Sequence, residues 1–518
     1  MFSCSSRFAI GTISPINDPV TGLPLGRTHS GGALDPLGGT LVYNARTTTV
    51  NPPVDDLGLP VPGQTAHSGP IHDPTAILYV RLSDLDIIDP TKPACQNGAI
   101  PGIPGKANDK CPVRLKPGMK VEPLVLRAVA GDCVEVTLYN RLPVKMPDLP
   151  TFSSLQGIVK RDRLNPQGST TFNANLIRPS NKVGLHAQLV ALDVTKDDGA
   201  NIGQNLEQIV TPGAGDKEVY RWYAGDVAAE KVAGGVTLTA TPVEFGGSGL
   251  IPADKIKQGR KSLVGGLSIL PRGVASFTED DGRGSLLVSD GHQAATYTHP
   301  TTGKTVRDFM VVMTKDNDHR YADGYPVQHL NGEGVGIPED SQDSTGMSLN
   351  YGIEPLWFRF GLSPNTCFGN QTNCFGGVAN AHSAYSNSII AGAVQTPVFA
   401  VNAGDEVRMH IAVPHSTSRG STFHIHGHVW QRDPYICPNQ ARNGLAGACS
   451  MGGVGSRAIG ENPIGFGQGG QESLTPYAHF TSRLPSAGGV DKVTGDYLFR
   501  DQAGFGNTSG LWGISRVR

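Results

Sequence analysis

Two stretches decide how this chain folds: EPLVLRAVAGDCVEVTL (122–138) and TPVFAVNAGDEVRMHI (396–411). Each runs Pro, apolar alternation, Ala-Gly-Asp, then alternation again. Apolar side chains at every second position bury one face of a strand. Gly131-Asp132 and Gly404-Asp405 would each turn one strand into the next. A histidine-bearing strand follows each copy, KVGLHAQLV (182–190) and then STFHIHGHVW (421–430). A Tyr-rich strand follows in turn, VYRWYAGD (219–226) and GDYLFRDQ (495–502). A repeat in this order implies two copies of one β-sandwich unit.

The copies are expected at about 76–275 and 305–518, with residues 276–304 as a linker. Residues 1–75 are rich in Gly, Pro, Asp and Thr with little periodicity, and read as an irregular arm wrapping a neighbouring domain. TAILYVRL (75–82) is the first convincing strand. At 518 residues, with 67 Gly, 38 Pro and little sign of long amphipathic helices, the chain reads as all-β with long irregular loops. The net charge of −2 provides no basic field for nucleic acid or an anionic membrane. No stretch reaches membrane-spanning length.

None of the eight cysteines forms a C-x-x-C pair, so a structural zinc site is not expected. Cys95/Cys111, Cys367/Cys374 and Cys437/Cys449 flank loops that disulfides would close, which points to an extracytoplasmic, oxidising compartment. Cys133, in an apolar strand, reads as a small core residue. The N-terminus MFSCSSRFAIGTISP lacks the features of a signal peptide. The expectation is therefore a chain that begins inside a longer protein or travels with a partner carrying the signal.

STFHIHGHVW concentrates the chemistry. His424, His426 and His428 lie at alternate positions, and a strand's period of two would place all three imidazoles on one face. Imidazole suits copper, zinc, iron and nickel, so this is a candidate metal site. Trp430, Arg432 and Asp433 follow it as candidate orienting residues. His410 and His415 precede it and read as buried structural histidines. Asp193, Asp197 and Asp198 (DVTKDDGAN) lack the distal Glu of a calcium loop and read as Asx-turns. KDNDHRY (315–321) and PEDSQD (338–343) read as solvated acidic turns.

The Ala-Gly-Asp hairpin, the His-x-His-Gly-His strand and the terminal Tyr strand resemble cupredoxin domains of multicopper oxidases. VGLHAQLVALDVTKDDGANIGQN, NYGIEPLWFRFG, FHIHGHVWQRDPY and SAGGVDKVTGDYLFRDQAGFG resemble the large bacterial members that include manganese-oxidase-like enzymes. The resemblance implies two cupredoxin-like Greek-key sandwiches. It also implies copper, and oxidation of Mn(II), another metal ion or an organic substrate coupled to O2 reduction.

Carried over residue by residue, His424 and His426 match the histidine pair that serves the family's trinuclear cluster. Ser421 stands where a type 1 histidine is usual, and His428 lies just beyond the pair as a further candidate ligand. The first motif reads His186-Ala-Gln188, so one of its two histidines is present. The positions of His-Cys-His or His-Ser-His read Ala224-Gly225-Asp226 and Arg500-Asp501-Gln502. A blue copper site requires the missing thiolate, so the chain builds none alone. Two accounts follow. Either a companion chain or a missing N-terminal half supplies the remaining ligands, or the chain is a catalytically degenerate structural or metal-binding module. In the first account His186, His424 and His426 converge between the units, with ring nitrogens roughly 5–8 Å apart.

Overall fold

The computed structural model describes residues 4–13, 26–27, 40–50, 66–87, 90–91, 113–116, 119–142, 146, 149–152, 174–177, 179–212, 217–280, 291–324, 327, 346–362, 378–390, 392–416, 420–432, 435–436, 450–451, 467–472, 474–502 and 508–518. Strands dominate, and the chain forms two cupredoxin-like sandwiches. In the first, one sheet runs in the order Ala191–Leu192, Lys217–Tyr223, Cys133–Tyr139, Ser6–Ile13, Leu78–Arg81. The facing sheet runs Leu124–Val129, Gly265–Leu270, Gly246–Pro252, Leu185–Ala187. Alternate residues Leu124, Leu126, Val134, Val136 and Leu138 meet Tyr220, Trp222 and Leu267 in the core between them.

The second unit repeats this plan. Phe277–Glu279, Ala294–Thr298, Thr305–Asn317, Glu406–His415 and His479–Leu484 form one sheet, with Gly346–Leu349 added to Thr305–Asn317. The facing sheet is Val398–Val401, Trp512–Val517, Gly495–Asp501, Thr422–Ile425, Gly470–Glu472. In both units the strand before the Gly-Asp turn lies in one sheet and the strand after it in the other, so the turn bridges the sandwich instead of closing a hairpin. In both, the strand before the turn pairs in parallel with a late strand, Gly265–Leu270 or Trp512–Val517.

This topology corrects the alignment of the repeats. The first-unit equivalent of Gly495–Asp501 is Gly246–Pro252, since each lies between the histidine strand and the late parallel strand. The Tyr-rich Lys217–Tyr223 corresponds instead to His479–Leu484, both pairing with the strand that follows the Gly-Asp turn. Glycines conceal the match: Gly246-Gly-Ser-Gly has no alternation to read.

Strands also occur where an arm and a linker were expected. Ser6–Ile13 pairs in parallel with Cys133–Tyr139, and Cys4 is bridged to Cys133. Cys133 is thus a cross-link as well as a packed residue. In the chain-entropy account, closing a loop of this length contributes about 4–5 kcal/mol. The other three cysteine pairs lie outside the described residues. Leu41–Asn44 and Ile71–Asp73 pair with each other and pack on the second unit, where Ile353 N–H donates to the Tyr43 carbonyl at 3.0 Å. Phe277–Glu279 and Ala294–Thr298 belong to the second unit's sheet because the first pairs with the second and the second with Thr305–Asn317.

The units pack sheet against sheet. Gly247 lies against His410, where an added Cβ would stand 2.2 Å from the His410 Cβ, and at Gly266 it would stand 2.3 Å from Met310 Cε. Gly247→Ala should therefore destabilise the protein by about 1–3 kcal/mol, the usual cost of overpacking. A denaturation midpoint equal to wild type would show that the interface gives way freely.

Charge lies between the units as well. Arg127 of the first unit donates to Asp308 of the second at 2.9 Å, and His410 Nε2 donates to the same carboxylate at 2.7 Å. Arg408 pairs with Glu244 across the same boundary.

The segment 315–321, expected as a solvated turn, is buried except for the half-buried Arg320. Lys315 pairs with Asp501, Arg260 with Asp316, and Lys261 with Asp318 and Asp73. These acids are matched by neighbouring bases inside the protein, so the segment is an ionic core. Residues 338–343 lie outside the described residues.

Candidate metal centre

Thr422–Ile425 is held between Gly470–Glu472 and Gly495–Asp501. Phe423 and Ile425 point into the core, where the Phe423 ring meets those of Phe480, Phe499 and Trp430. Period two then turns His424 outward. The strand ends there, because residues 426–427 form a turn with Gly427 at φ +66°. An L-residue pays for that backbone conformation, and its Cβ would also meet the Tyr497 ring at 3.0 Å. The expectation of one continuous strand with three imidazoles on one face is thereby corrected.

The turn brings two histidines together and leads the third away. The rings of His424 and His426 lie 4.8 Å apart between centroids. His428 is buried: its Nδ1 donates to the His426 carbonyl at 3.1 Å, and its Nε2 accepts from Gly488 N–H at 3.2 Å. Both ring nitrogens are thus engaged in bracing the turn, against Tyr497. Trp430 donates to Gln471 Oε1 at 2.8 Å and so clamps the neighbouring strand.

Electrostatics keeps the pair neutral. Burial lowers the pKa of His424, and the nearby Arg500 lowers it further. Burial, His424 and Arg500 act in the same direction on His426. Neutral imidazole is the metal-binding form. The Nδ1 of His424 is buried and has no hydrogen-bond partner among the described residues, an orphan of the kind a ligand satisfies. Arg500 lies directly opposite His424 and donates to the Tyr385 hydroxyl at 3.0 Å. Its charge opposes a bound cation as much as it opposes a proton.

His186 takes up the equivalent strand in the first unit, opposite Ile251. Its Nδ1 lies 3.0 Å from the Asp198 carbonyl and 3.2 Å from Asp198 Oδ1, so the DVTKDDGAN loop fixes the ring. Asp193 in that loop accepts from Thr195 N–H at 3.0 Å, an Asx-turn. Among the described residues no three His, Cys, Asp or Glu side chains group to hold an ion. The structure therefore does not bring His186 to the pair. His410 is buried between Asp308 and Thr481, and His415 is buried against Gly259. Two neutral imidazoles with an orphan nitrogen fit copper as part of a ligand set, and among the described residues no type 1 site stands beside them.

No family model and no curated protein sequence matches the chain. Among solved structures it is similar to a copper nitrite reductase from Nitrosomonas europaea, at 12% identity over 77% of this chain and 84% of that one, with TM-score 0.35. A multicopper oxidase is similar at 12% identity over 78% and 84%, TM-score 0.34. A blue copper oxidase from Nitrosomonas europaea is similar at 11% identity over 77% of each chain, TM-score 0.33. Strand order and the site together define an all-β protein of two cupredoxin-like sandwiches with a histidine pair on the second.

Proposed function

We propose that this chain belongs to a copper-dependent oxidoreductase of multicopper-oxidase type and holds copper through His424 and His426. The carrying observation is the neutral pair at 4.8 Å with the orphaned Nδ1 of His424. Copper bound there supplies one-electron redox chemistry, with Mn(II) or an organic molecule as electron donor and O2 as acceptor. The remaining ligands come from outside the described residues, from a companion chain or a further part of the same protein. The Cys4–Cys133 bridge supports an extracytoplasmic site of action. Among the described residues no helix is long and apolar enough to cross a membrane.

A second reading, a catalytically silent cupredoxin-like module, draws support from Arg500, whose charge faces the pair where a further ligand would help.

Copper content separates the two. The purified chain equilibrated with Cu(II) should retain the metal and show nitrogen hyperfine structure in its paramagnetic resonance spectrum. It should lack the intense visible thiolate band. H424A/H426A should retain less than about a tenth of the wild-type copper while its unfolding midpoint without metal is unchanged, since partly exposed ligands add little to packing. Wild-type copper retention in the double variant would overturn the assignment. Copper bound without O2 uptake, even beside the companion chain, would favour the silent module.

A further inference from the structure

We propose that Arg500 anchors a binding site for a small organic monocarboxylate beside the histidine pair. A guanidinium grips a carboxylate through two parallel N–H bonds. Elsewhere in this chain that grip uses the Nε/Nη2 edge. Arg483 donates to Glu406 from Nε at 2.9 Å and from Nη2 at 2.8 Å, and Arg516 donates to Asp496 from the same two nitrogens at 2.7 and 2.8 Å. On Arg500 this edge is vacant. Its Nε is buried without a hydrogen-bond partner, and among the described residues the guanidinium donates only from Nη1. The buried Arg127, Arg359, Arg408 and Arg483 each meet a carboxylate. Arg500 meets none among the described residues.

The vacant edge is held in position. Nη1 donates to the Tyr385 hydroxyl at 3.0 Å, and Cζ stands 5.7 Å from the centroid of that ring. Tyr385 packs edge-on against Trp512 at 5.0 Å, and the fully buried Trp512 donates to the Glu354 carbonyl at 2.8 Å. A group fixed before binding loses little freedom when its ligand arrives. Asp501, next in the chain, cannot fill the edge. Strand alternation sends it to the other face, where it is buried against Lys315 and Ser421. Arg500 is itself only half-buried, so a solute can reach it.

The neighbours select the ligand class. His424 lies directly opposite Arg500 on the adjoining strand, so its orphaned Nδ1 belongs to the same face. On its other side His424 pairs with Gly470, where even an added Cβ would stand 3.9 Å from the imidazole Cδ2, which leaves room beside the ring. One fixed positive charge suits a monoanion, and a planar fork suits a planar pair of oxygens. Tyr385 and Leu498, half-buried against the apolar cluster around Trp512, offer an apolar wall to the rest of the molecule. An organic monocarboxylate meets all of these, whereas a multiply charged phosphate or sulfate finds a single cation. Carboxylate binding requires no copper at the pair, and it cancels the charge that otherwise opposes one.

A saturation-transfer NMR titration of the metal-free full chain with sodium benzoate, at constant ionic strength, tests this. Binding should saturate with a Kd of about 1 mM, the scale of one charge-assisted pair on a small ligand. Inorganic phosphate and sulfate should bind about tenfold more weakly or not at all. Arg500→Lys keeps the charge and removes the fork, and should weaken benzoate binding about tenfold with unchanged circular dichroism. Tyr385→Phe removes the hydroxyl that holds Nη1 and should weaken it about threefold. No saturable benzoate signal up to about 20 mM would overturn the proposal. So would binding undiminished in both variants, or phosphate bound more tightly than benzoate. With no copper present, none of these results bears on the assignment of copper to His424 and His426.

Discussion

Asp308→Ala should lower the unfolding free energy by about 3–5 kcal/mol, the cost of breaking a buried ion pair from one side. Asp308 is fully buried and takes hydrogen bonds from Arg127 at 2.9 Å and from His410 at 2.7 Å. Burial alone would push its carboxyl pKa up, but His410 and Arg127 outweigh burial and hold it well below the usual carboxylate range. Without the carboxylate, the buried Arg127 keeps its charge and loses its fully buried anion, leaving Glu279 at 3.2 Å. The loss should reach both units, because Arg127 belongs to the first and Asp308 to the second. Arg127→Met combined with Asp308→Leu removes both charges and should recover much of the stability. Urea unfolding of the single and double variants measures the coupling. A single-variant loss below about 1 kcal/mol, the size of an exposed pair, would show that the network is unimportant.

Alkaline pH should loosen the same boundary. Burial disfavours the charged form of His292, but hydrogen bonds to Asp84 and Glu279 outweigh it and raise its pKa to about 9. A pKa raised on folding means stability that is fully present below about pH 6.5. That stability is lost as pH climbs through 9. The amount is about 3 kcal/mol, set by the gap between the ordinary histidine pKa and about 9. In His292→Gln the difference in unfolding free energy between pH 6 and pH 9.5 should shrink by most of that amount. An unchanged pH profile in the variant would place the titration elsewhere. The acid side is governed separately: burial raises the Glu406 pKa, but Arg483 and Arg408 together bring it down to about 2. Its contribution is present above the ordinary carboxylate range and fades as pH falls toward 2.

The strands around Gly131-Asp132 and Gly404-Asp405 were legible because alternation is a local signal, and a half-buried strand cannot form without it. So was the histidine pair, since a period of two sends His424 outward whenever Phe423 and Ile425 go in. The rest needed three-dimensional information. Ser6–Ile13 is a strand only because Cys133–Tyr139, more than a hundred residues away, offers its edge. Its own sequence, SRFAIGTI, alternates too weakly to announce it. The glycines of Gly246–Pro252 carry no pattern, and their purpose appears only where His410 packs against them. Arg127 and Asp308 were visible as charges inside apolar runs, LVLRAVA and VRDFMVVM, but nothing local tells that one answers the other. The separation of His428 from its neighbours was likewise decided by the fold. Gly427 permits the turn, and Gly488, sixty residues on, donates the hydrogen bond that holds the ring inside. Sequence alone determined the strongly alternating strands and which residue types could meet a metal. The tertiary structure decided which of those side chains face one another, because that depends on pairing between distant strands.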